Sequence, residues 1–212
     1  MMKSLMHFAL ALLVTVVTGY AQPFSTKLDI LPSSKLWLEG TSTLHDYKAE
    51  TSKLRGTILA QVAEPSKIEN FLPTTSIEIP VKTLKSGDKK LDANMYDALK
   101  EDDFHSISYR MLSATKLNDT TGGENKRTLF RTNGILTVAG KEQEIAMDVS
   151  VASDSTIRVA GSKELLMTDF GIEPPTMMLG LIKTDNRIVI KFDLSLRPNK
   201  DNQPLSTDRK EN

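Results

Sequence analysis

An enzyme would have to find its acids, bases and ligands among a small set of side chains in this chain. Its 212 residues include three histidines and no cysteine. His7 falls in an apolar N-terminal stretch, which leaves His45 and His105. Zinc takes three or four ligands from His, Cys and carboxylates, so two separated histidines make no metal motif. His45-Asp46 is an isolated dipeptide, and a hydrogen-bonded structural His is its simpler reading. No G-x-S-x-G elbow frames a serine nucleophile. Asp169-Phe170-Gly171 copies three letters of a kinase signature, without the glycine-rich and catalytic loops that give those letters meaning. Gly140-Lys141 lacks the upstream glycine of a phosphate loop. Glu101-Asp102-Asp103 reads as a solvated acidic cluster. No nucleophile, base and orienting group can be assembled from this inventory.

The remaining side chains are arranged for architecture. Lysine plus arginine equals aspartate plus glutamate, 27 each, so charge gives no reason to expect nucleic acid as a partner. Lys3, the apolar run Phe8 to Val17, and the small residues Gly19 and Ala21 predict a signal peptide over residues 1–21, cleaved after Ala21. The expected location is therefore periplasmic or secreted, with no transmembrane anchor after cleavage. An exported chain without cysteine must draw its stability from its core. Residues 22–197 then form one domain, and 198–212 read as a disordered polar tail.

Within that domain the apolar period is mostly two, the spacing of a strand with one buried face. Leu28 and Ile30, Leu36 and Leu38, Ile77 and Ile79, and Ile107, Tyr109 and Met111 all alternate with polar residues. Leu54 to Val62 carries Gly56 as a bend, and Pro80 marks a strand end. Asn118 to Lys126 predicts a hairpin loop, and Ala139 to Glu142 a tight turn. Later strands are expected at Leu129–Val138, Ile145–Val151, Ile157–Ala160 and Ile188–Leu196. One helix interrupts them, at about 91–100, with Leu91, Met95, Ala98 and Leu99 on one face. Asp88 or Asp92 is placed to cap it. Too short to stand alone, it must rest on the end of a sheet. Pro174 to Gly180, with Met177, Met178 and Leu179, reads as a stiff apolar flap. The whole is all-β, and its apolar face needs a sandwich or a closed barrel to cover it.

Four segments, in order, resemble the YceI-like family. They are Gly40-Thr41-Ser42-Thr43-Leu44-His45-Asp46-Tyr47; the helix and strand of Leu91 to Tyr109; Asn133-Gly134-Ile135-Leu136-Thr137-Val138-Ala139-Gly140; and Thr168-Asp169-Phe170-Gly171-Ile172. His105-Ser106-Ile107 departs from the proline that often precedes the strand after the helix. The resemblance implies an extended eight-stranded antiparallel lipocalin-like barrel with a short helix. It also implies a non-catalytic protein that binds lipid or polyisoprenoid in its lumen. The ligand would be a polyisoprenoid, an isoprenoid quinone, or a fatty acid or amide, and a homodimer is compatible with it.

Under that reading Trp37, His45, Met95, Leu99, Met111, Phe170, Met177, Met178 and Leu179 are the ligand-contact candidates. His45 would meet a headgroup, and the methionines would adapt to an irregular chain. The same methionines suit ordinary core gaps, and alternation alone leaves Trp37 on either face. Two other readings stand beside this one. One is a lipid-modifying enzyme using His45 or His105 as acid–base. The other is a structural or stress-related barrel packed shut.

Overall fold

The computed structural model describes residues 24–64, 67–72, 74–120, 127–153, 156–177 and 181–199. Its first strands are β1 (Phe24–Ile30), β2 (Lys35–Ser42), β3 (Asp46–Thr51), β4 (Arg55–Glu64), β5 (Lys67–Phe71) and β6 (Ser76–Pro80). Helix α1 (Lys89–Ala98) follows. Then come β7 (Ser106–Thr120), β8 (Arg127–Val138), β9 (Lys141–Ser153), β10 (Ile157–Leu166), the short β11 (Thr176–Met177) and β12 (Ile182–Pro198).

Eight strands close a ring in the order β1, β4, β6, β7, β8, β9, β10, β12, every pair antiparallel. The ring shuts where Leu28, Asp29 and Ile30 pair with Pro198, Arg197 and Leu196. This is the expected eight-stranded antiparallel barrel with one short helix. β2 takes over from β1 along the same edge of β12, from Lys35 opposite Asp193 to Gly40 opposite Ile188. β3 pairs with β2 and leads into β4. One edge of β12 is therefore covered by two successive strands, β1 and then β2.

Buried hydroxyls mend these interruptions. Ser34, fully buried between β1 and β2, donates from Oγ to the Ser195 carbonyl at 3.1 Å and accepts the Ser195 N–H at 3.0 Å. Thr75 does the same for Leu59, at 3.2 Å each way, where β4 changes partner from β6 to β5. Each hydroxyl satisfies backbone groups that a broken ladder would leave orphaned.

The predicted alternation is visible in β8, where Phe130, Thr132, Gly134, Leu136 and Val138 face inward. β10 and β12 run longer than their apolar stretches, because pairing with each other carries both strands through polar residues. β7 extends to Thr120 and β8 starts at Arg127, shortening the expected loop; residues 121–126 lie outside the described ones. The helix begins two residues early because Asp88 caps it, accepting from Lys90 N and Leu91 N at 2.7 and 3.1 Å.

Asp92 is buried instead, held by Ser86. Glu101 corrects another expectation, since it is no solvated acid. It is buried and sits 2.7 Å from Lys82 Nζ, whose hydrogen bond holds its carboxyl below the usual range. Among the described residues no helix is long and apolar enough to cross a membrane.

Candidate functional site

Closing a sheet whose alternate residues are apolar puts those residues on the inner wall. Ile107 and Met111 from β7, Ile145 and Val149 from β9, and Ile190 and Leu194 from β12 converge on a central chamber of about 1040 Å³, counted to its open mouth. A second chamber of about 940 Å³ shares Leu38, Ile107, Leu165 and Ile190 with the first, so the two are parts of one lumen. Leu91, Met95, Ala98 and Leu99 of α1 cover the second chamber, with Phe170 and Ile172 beside them. The short helix thus rests on the barrel end, as its length requires.

What lines the lumen decides its chemistry. Lys163 is the one charged side chain among the described residues lining either chamber. Thr75 and Thr132 already spend their hydroxyls on Leu59 and on the Met147 carbonyl. The Tyr109 hydroxyl is buried with no hydrogen-bond partner, unlike any other described buried side-chain atom. Burial pushes its pKa up.

Tyr109 and Phe192 keep clear of the centre by lying against glycines. A Cβ on Gly134 would come within 2.5 Å of the Tyr109 ring, and one on Gly161 within 2.7 Å of Phe192. Tyr47 lies on Gly40 in the same way and lines the second chamber near its outer side. Burial, followed by the Asp185 charge, pushes its hydroxyl up to about 12. A ligand in this space would be held by transfer of apolar surface from water.

The YceI-like domain model matches residues 32–196. The chain belongs to the YceI-like family. Its fold is similar to that of BcnA from Burkholderia cenocepacia, with 16% identity and a TM-score of 0.60 over 79% of this chain and 99% of that one. It is also similar to a polyisoprenoid-binding domain from Saccharophagus degradans implicated in plant cell wall breakdown. There the identity is 13% and the TM-score 0.56, over 82% of this chain and 98% of that one. At such identities the likeness is one of fold. No curated protein matches the sequence.

The candidate contact residues of this YceI-like chain separate into groups. Met95, Leu99 and Phe170 meet in the second chamber, and Met111 lines the first. Trp37 is corrected to the outer wall. Its neighbours Leu36 and Leu38 take the inner face, while its Nε1 donates to Glu39 at 2.8 Å and Lys48 Nζ lies 5.3 Å from its ring. His45 is corrected too. It sits exposed in the β2–β3 turn with Nδ1 2.8 Å from the Asp46 carbonyl.

The motif around His45 builds that turn. Ser42 Oγ accepts from the backbone of Leu44 and His45 and donates to the His45 carbonyl. His105 is exposed on Glu101, and neither histidine lines the lumen. Met177 pairs through its backbone with Ile182. Met178 and Leu179 lie outside the described residues.

The sequence reading passed over Tyr109 as a lumen residue, and Lys163 altogether. The signal for Lys163 was present. It stands in the inward phase of Ile157, Val159 and Leu165, a charge where alternation calls for an apolar group.

Proposed function

We propose that this protein is an exported, non-catalytic carrier that holds a long-chain apolar lipid, of isoprenoid type, in the lumen of its barrel. The observation that carries the reading is the wall itself. Two chambers that share wall residues are lined mostly by aliphatic and aromatic side chains, with a helix across one end. The polyisoprenoid-binding description of one structural neighbour supports the same ligand class. Export through residues 1–21 to the periplasm or beyond belongs to this proposal.

Burial of each CH₂ contributes about 0.8 kcal/mol, so two or three isoprene units supply about 8–12 kcal/mol before the cost of ordering the chain. Selectivity among tails is expected to be shallow, because one methylene discriminates by only ~1–3 kcal/mol.

The test is extraction and reloading. The mature chain, purified under native conditions and extracted with organic solvent, is expected to yield a lipid in near-stoichiometric amount by mass spectrometry. The delipidated protein is expected to take up one added isoprenoid quinone or polyprenyl alcohol. Repeatedly clean extracts together with no uptake of either probe would overturn the carrier reading.

A further inference from the structure

The barrel wall has a split. β9 and β10 pair only from Val149–Gly161 to Ser153–Ile157. Beyond that point β9 residues 141–148 pair with β8 alone, and β10 residues 162–166 pair with β12 alone. The two edges diverge, and a groove of about 590 Å³ lies between them. Ile145, Leu165 and Phe170 line it together with Lys163. Lys163 borders both this groove and the central chamber.

The direction of Lys163 follows from register. It stands opposite Ile190, and directly opposed residues of an antiparallel pair share a face. Ile190 lines the lumen, so the lysine stem does too. Lys163 is half-buried and has no hydrogen-bond or ion-pair partner among the described residues. Its stem lies along the aliphatic wall while its half-exposed ammonium reaches the open groove, the arrangement in which a long stem keeps its charge near water. A cation that borders both the lumen and the groove, with no partner among the described residues, is free to meet an anionic group of a bound molecule.

We propose that the β9–β10 split is where the polar end of the ligand leaves the lumen, and that Lys163 Nζ binds a carboxylate there. The proposal rests on the lumen being a lipid site. Three carboxylates line the groove: Glu144, Glu164 and Asp169. Glu164 lies 3.4 Å from Arg187. Among the described residues Lys163 is the one cation lining the groove, so it can match a single negative charge, and the second charge of a phosphate would be left facing the rim carboxylates. The chemical class is therefore a long-chain carboxylic acid, bound tail inward with its carboxylate at the split.

The test compares cis-parinaric acid with its methyl ester by fluorescence titration at neutral pH. The probes are added to the delipidated mature protein and to its Lys163→Met and Lys163→Arg variants. A charge-assisted hydrogen bond predicts that the wild-type protein binds the acid about tenfold or more tightly than the ester. Lys163→Met is expected to bring the ratio near one while ester binding persists, which also shows that the variant folds. Lys163→Arg is expected to keep the preference. An unchanged ratio in Lys163→Met, or no preference in the wild type, overturns the assignment and leaves the carrier reading intact. If neither acid nor ester binds the wild-type protein, the carboxylate assignment falls, and uptake of the quinone or polyprenyl alcohol decides the carrier reading separately. Tighter binding of dodecyl phosphate than of dodecanoate would overturn the carboxylate class.

Discussion

Replacing Ser34 by alanine removes one oxygen and two hydrogen bonds from a site with no exposure. The Ser195 carbonyl keeps a partner, because the Leu31 N–H also donates to it at 2.8 Å. The Ser195 N–H loses its partner in a position water does not reach. Leaving a buried donor unsatisfied costs about 1–3 kcal/mol. The methyl of alanine fits within the space of the serine, so no strain offsets or adds to that figure. For a domain of this size each kcal/mol lowers Tm by roughly 2–4 °C, and a fall of about 4–8 °C is expected for a loss near 2 kcal/mol. Trp37 is the only tryptophan, and its contacts with Glu39 and Lys48 make it a local reporter of the same wall. Urea unfolding followed by its fluorescence gives the free energy directly. A change below about 0.3 kcal/mol would show that the backbone repairs the gap unaided, and would refute the hydroxyl's role as a substitute ladder partner.

Tyr109→Phe is expected to be neutral or stabilising by thermal melt, since its hydroxyl has no partner to lose; a clear destabilisation would expose a bond to that oxygen. The raised Tyr47 pKa gives an alkaline signature. Stability from keeping this phenol protonated is fully present below pH 10 and is lost as pH rises toward about 12. Tyr47→Phe should flatten that limb in a pH series of urea midpoints, and an unaltered limb would contradict it. Glu101 works at the other end. Its lowered pKa supplies stability above the ordinary carboxylate range that is lost as pH falls through the folded value. Glu101→Gln should therefore weaken the acid dependence, and acid melts identical to wild type would count against the Lys82 pair.

The architecture was legible in the sequence because a barrel wall writes its inner face at every second residue. β8 could be read almost to its ends for that reason, and β9 only through its apolar part, Ile145 to Val151. The far half of β10 could not, since Gly161, Ser162, Lys163 and Glu164 have no apolar pattern and become strand only by pairing with β12. The candidates that line the chambers, Met95, Leu99, Met111 and Phe170, are bulky and in phase with a buried face. Trp37 and His45 were drawn in by their chemistry. An indole held by a carboxylate and a lysine, and an imidazole in a serine-built turn, serve the outside of the molecule. Whether a polar group is inward depends on register, and register is set by partner strands far away in the chain.

The glycines under Tyr109 and Phe192 make the bore of this barrel adjustable. Gly134 and Gly161 contribute a missing methyl, and each ring occupies the hollow so made. A single Gly→Ala change at either position would push its ring toward the barrel axis, narrowing the channel like a stop set in a tube. The clearance across the lumen therefore depends on a methyl missing at each of two positions on the wall.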